Sequence, residues 1–164
     1  MKKKMAYSLL LSDDNLVYLI GGKDSYDSLA AKGYVQAYDN RSPTWLTLSP
    51  TNHKTYGRFS SAGCAANGFI YISSDSEQII EIFDPAAGKW RIVDTSLMIG
   101  PDNWFCIPKM VLYKNHLFYF DLNMHQFGIY SLKTEEWSPL MSLAKCGIEN
   151  FRTDTRYVIV FNSV

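Results

Sequence analysis

One spacing recurs through the chain and limits what it can fold into: an aromatic residue followed seven positions later by tryptophan, in "YDNRSPTW" (Tyr38 to Trp45), "FDPAAGKW" (Phe83 to Trp90) and "YSLKTEEW" (Tyr130 to Trp137). Ahead of each copy stands an asparagine leading into an aromatic-rich apolar run: "NLVYLIGG" from Asn15, "NGFIYISS" from Asn67 and "NHLFYFDL" from Asn115. The tryptophans of the pattern are therefore 45 and then 47 residues apart.

A repeat of this length built from short strands implies a propeller or array, because no unit buries its own apolar face alone. Each unit reads as an antiparallel meander of four strands. In the second unit these are Ser60 to Ala66, Phe69 to Ser74, Ile79 to Asp84 and Trp90 to Val93, with turns at Asn67-Gly68, Asp75 to Gln78 and Pro85 to Lys89. The aromatic-to-tryptophan spacing has a mechanical reading. A polar turn reverses the chain so that the two rings stand side by side on adjacent strands and fill the space between neighbouring units. A ring buried in this way removes roughly 150 to 250 Å² from water, which stabilises by about 4 to 6 kcal/mol before ordering entropy.

The residues now on the page resemble the kelch repeat: a strand ending in Gly21-Gly22, then Tyr-Asp, then Trp, with Arg58 nine residues before Asn67 in the second unit. The resemblance implies an all-β, kelch-type propeller, here a partial one of about three to three and a half blades. These cover approximately residues 6–48, 58–93 and 105–140, with a closing or partial-blade strand over 148–164 that contains the apolar run Tyr157 to Phe161. It also assigns the glycine doublet to close approach of a neighbouring chain at the end of a blade's second strand. Kelch domains usually close as rings of about six blades, within the range of about four to eight for propellers. The resemblance therefore implies that remaining blades come from a longer chain or from a second copy.

The same residues carry no complete motif for other chemistry. "VYLIGGKD" ends like a phosphate loop, but Val17 stands at the early glycine position and Asp24 at the position of the magnesium-binding hydroxyl. His53, His116 and His125 share no ligand spacing with each other or with Cys64, Cys106 and Cys146, so neither a metal site nor a cofactor is expected. "DLNMH" from Asp121 begins like a calcium loop, yet Gln126 and Leu132 replace the glycine and glutamate such a loop requires. No nucleophile elbow or paired carboxylates suggest catalysis, and the expected reading is a non-enzyme. Some enzymes resembling galactose oxidase share the kelch fold, which leaves a fragment of such an enzyme as a minor alternative. Sixteen basic and sixteen acidic residues cancel, which gives no field to attract nucleic acid or a membrane surface. Three distant cysteines fit a reducing compartment, cytoplasm or nucleus, better than a disulfide framework. "MKKKMAYSLLLSDD" is too short in its apolar part for a signal or membrane segment.

The function expected from the resemblance is protein recognition, by the substrate-binding half of an adaptor similar to the BTB-kelch or F-box-kelch proteins of cullin-based ubiquitin ligases. The alternative is a structural propeller subunit of a large assembly. In such proteins partners dock on the loops joining second to third strands and those joining blades. Here these loops carry Tyr26, His53, Tyr56, Trp104 and His125, aromatic or amphipathic groups suited to anchoring an interface, and beside them Arg58, suited to an acidic partner.

Overall fold

The structure, a computed structural model, describes residues 9–13, 15–21, 34–51, 62–73, 79–95, 108–121 and 125–146. Among the described residues it is all-β, with one 3₁₀ turn at Ala144–Cys146. The first sheet is the meander β1 (Leu9–Asp13), β2 (Leu16–Ile20), β3 (Val35–Asp39) and β4 (Thr44–Thr47). The second repeats it with β5 (Ala62–Ala66), β6 (Phe69–Ser73), β7 (Ile79–Asp84) and β8 (Lys89–Asp94). The third is β9 (Pro108–Tyr113), β10 (His116–Asp121), β11 (Gln126–Ser131) and β12 (Glu136–Trp137), with β13 (Met141–Ser142) also pairing with β11. Between β12 and β13, Ser138 keeps the ladder going by donating its N–H to the Ile129 carbonyl and accepting the Ile129 N–H on its hydroxyl.

The expected pairing of aromatic and tryptophan is present in every sheet. Tyr38 is in register with Trp45, Phe83 with Trp90 and Tyr130 with Trp137. Their ring centroids lie 5.4, 4.7 and 5.1 Å apart, all tilted. The turns between them are built by the residue after the aromatic. The Asp84 carboxylate accepts the N–H groups of Ala86 and Ala87, Asp39 accepts that of Arg41, and the Ser131 hydroxyl accepts that of Thr134. At the Asn67-Gly68 hairpin both residues have positive φ, the condition for a two-residue type I′ turn whose twist matches the flanking strands.

The sheets pack face to face, and the alternation of side chains along β6 and β7 places the second sheet between the other two. Ile70, Ile72 and Phe83 join Leu11, Tyr18, Ile20, Val35 and Ala37 of the first sheet in one core. Tyr71, Ile80 and Ile82 point the other way and join Met110, Leu117, Tyr119 and Tyr130 of the third. Among the described strands, the main backbone approaches between sheets are β1 with β5 and β5 with β9. The sheets are thus closest at their first strands, and large side chains fill the space toward their fourth strands. At Gly63 on β5 a Cβ would stand 2.8 Å from the Tyr71 carbonyl oxygen and from Leu9 Cδ2, so the approach of β1 to β5 depends on this glycine.

Gly21 follows β2 with φ of 66°, and its N–H donates to the Tyr34 carbonyl at 2.7 Å. Its role is a left-handed exit from the strand. By register, Ile20 corresponds to Ser73, so the counterpart of the doublet begins at Ser74. Gly22 and the closing strand expected over 148–164 lie outside the described residues.

Candidate functional site

One polar contact recurs between both pairs of neighbouring sheets. The Trp90 indole N–H donates to the Ser49 carbonyl at 3.2 Å, and the Trp137 indole N–H donates to the Asp94 carbonyl at 3.0 Å. Each acceptor lies four residues after the preceding sheet's tryptophan, Trp45 or Trp90. Both tryptophans are half-buried, while the paired Phe83 and Tyr130 are 1% and 3% exposed. The tryptophan therefore ties the outer strand of one sheet to the exit of the sheet before it, and its partner ring fills the space beneath.

Between the outer strands of the second and third sheets this arrangement leaves a groove of about 380 Å³ bordered by Arg91, Asp94, Tyr130, Glu135 and Trp137. Arg91 Nη1 and Glu135 Oε1 bridge it at 2.7 Å, and both side chains are solvent-exposed. Burial raises the Tyr130 hydroxyl above the ordinary tyrosine value, and the Glu135 charge adds to the effect, so it stays protonated and able to donate. The groove offers an aromatic wall, a carboxylate and a guanidinium side by side, a lining suited to a polar peptide segment. Arg91 and Glu135 escaped sequence reading because neither stands at a position that the three copies share; they meet only once two sheets are stacked.

Of the residues expected to contact a partner, His125 is described. It is exposed, sits at the turn between β10 and β11 with φ of 53°, and its carbonyl accepts the Leu143 N–H at 2.8 Å. Its backbone is fixed and its ring stands at the surface. Tyr26, His53, Tyr56, Arg58 and Trp104 lie outside the described residues. Cys64 is turned toward the core between the second and third sheets, and burial pushes its thiol up to about 12, so it is a packing residue with little thiolate character. Among the described residues no group of three or more His, Cys, Asp or Glu is placed to hold a metal ion, and no helix is long and apolar enough to cross a membrane.

No protein-family model matches the chain. No curated protein matches it either.

Proposed function

We propose that this chain is part of a kelch-type β-propeller that recognises a protein without catalysis, as the substrate-binding half of an adaptor for a cullin-based ubiquitin ligase. The observation that carries the reading is the twice-used inter-sheet contact, in which a tryptophan recurring at the kelch spacing donates to the exit carbonyl of the preceding sheet. Such a scaffold buries its strands and leaves turns and outer grooves for binding, so recognition falls to side chains such as His125, Arg91 and Glu135. Its working place on this reading is the cytoplasm or nucleus.

The structural-subunit reading has its own support in the apolar residues on the outer faces of the first and third sheets, Leu10 among them at 64% exposed. Affinity purification of the full-length gene product separates the two. Cullin or Skp-type partners bear out the adaptor. A stable stoichiometric complex lacking them bears out the subunit. For the adaptor, Arg91→Ala and His125→Ala are expected to weaken capture of the recruited protein and leave the cullin connection intact.

A further inference from the structure

The two outer faces of the stack are unlike each other, and each matches a face that is already buried inside the molecule. Register makes the positions of the three sheets equivalent. Leu10, Val17, Leu19, Tyr38 and Trp45 in the first sheet correspond to Gly63, Ile70, Ile72, Phe83 and Trp90 in the second. They correspond also to Met110, Leu117, Tyr119, Tyr130 and Trp137 in the third. In the second and third sheets this set packs against the preceding sheet, with Ile70, Ile72, Phe83, Leu117 and Tyr119 each 1% exposed or less. In the first sheet Leu10 is 64% exposed and the other members are half-buried. The Trp45 indole N–H, whose counterparts each bind a carbonyl, meets no acceptor among the described residues.

The outer face of the third sheet belongs to the opposite set. Val111, Phe118, Phe120, Phe127 and Ile129 correspond to Leu11, Tyr18, Ile20, Val35 and Ala37, the first-sheet residues that receive the second sheet. The latter are buried, whereas all five third-sheet residues are half-buried, with Phe120 and Phe127 stacked at 5.5 Å. Within the molecule, each inter-sheet core joins one set to the other.

We propose that these two faces are the halves of one further interface, and that a second copy of this chain docks head to tail. The first sheet of each copy then packs on the third sheet of the other, which gives a closed two-fold dimer. The proposal rests on the propeller reading and names the surface that completes it. Counting the sheets formed by the described residues, six result, inside the range of about four to eight over which propellers close. By register the Ser142 carbonyl stands where Ser49 and Asp94 stand, and it is the acceptor that the Trp45 N–H of the other copy would meet. The Gly63 position of one sheet lies against Leu9 and Leu11 of the sheet before it, so Leu10 of one copy faces their counterparts Lys109 and Val111 on the other.

Sedimentation of the full chain over a range of concentrations, with circular dichroism to follow folding, tests this. The wild type is expected at twice the chain mass. Leu10→Lys, which meets Lys109, and Val111→Glu should each weaken association at least about tenfold, which is about 1.4 kcal/mol, without loss of strand signal. Leu10→Lys combined with Val111→Glu in one chain should restore the dimer, because the new charges meet across the interface. Ile92→Glu, an equally apolar site half exposed on the second sheet, should leave association unchanged. A folded wild type that remains monomeric overturns the proposal, as does a dimer indifferent to either end-face substitution. Open-ended polymers sensitive to both would overturn the closed dimer. Loss of dimerisation with protein capture retained would leave the adaptor reading standing.

Discussion

At the scale of single residues, the work of holding sheets together is divided between the two rings of each pair. Phe83 is 1% exposed in the core between the first two sheets, and Phe83→Ala is expected to cost about 3–5 kcal/mol. Trp90 is half-buried at the outer margin, so Trp90→Ala should cost less, about 2 kcal/mol, and chemical denaturation of both variants orders them. From the spacing alone the tryptophan looks like the larger contributor, because its size is visible and its margin position is not. Trp90→Phe removes the indole hydrogen bond to Ser49 together with part of the ring's packing and should cost about 1 kcal/mol or more, and an unchanged midpoint would show that neither stabilises the fold. Gly63→Ala places a methyl within 2.8 Å of the Tyr71 carbonyl, a backbone atom that cannot rotate away, and should destabilise by about 1–3 kcal/mol. A denaturation midpoint equal to that of the wild type would show that β5 gives way to both β6 and β1 without penalty.

At the scale of elements, the turn before each tryptophan strand carries a testable conflict. In the second sheet the residue two before the tryptophan is Gly88, with φ of 64°; in the third it is Glu135, with φ of 58°. A side chain at that φ is strained, and glycine is not. Glu135→Gly removes the strain together with an exposed ion pair to Arg91, which is worth little, so the net effect expected is between zero and a gain of about 1 kcal/mol. A clear loss in thermal denaturation would mean that the Arg91 bridge matters to the packing of the second and third sheets. The element boundaries themselves were legible in the sequence. The sequence predicts the second unit as four strands at nearly the observed limits, because Asn67-Gly68 and Asp84-Pro85 are turns with local chemistry. The split of the fourth strand into β12 and β13 was not legible, since it depends on Ser138 bonding both ways across to Ile129.

At the scale of the whole molecule, the core between the second and third sheets encloses groups that resist ionisation. Burial pushes the Tyr71 hydroxyl from 10.0 to about 12 and the Cys64 thiol from 9.0 to about 12. Both are neutral when protonated, and the folded chain holds those protons more tightly than the unfolded one. Their contribution is therefore fully present below the ordinary values and is lost as pH rises through that interval toward about 12. Stability to denaturant should fall over this alkaline range, and Tyr71→Phe together with Cys64→Ala should flatten the fall. A wild-type profile with no slope there would show that the two groups are not enclosed between the sheets.

The all-β class, the places where strands turn and the register of an aromatic with a tryptophan in each unit are legible in the residues alone. These follow from local geometry: period-two side chains, turn residues with a fixed chemistry, and a spacing that survives any arrangement of the sheets. Only tertiary structure decided which face of each sheet is buried against which neighbour, that the indoles of Trp90 and Trp137 reach across to Ser49 and Asp94, and that Arg91 meets Glu135 beside Tyr130. Those contacts join residues more than forty positions apart, and a hydrogen bond or ion pair at that separation exists only after two independently formed sheets have been stacked.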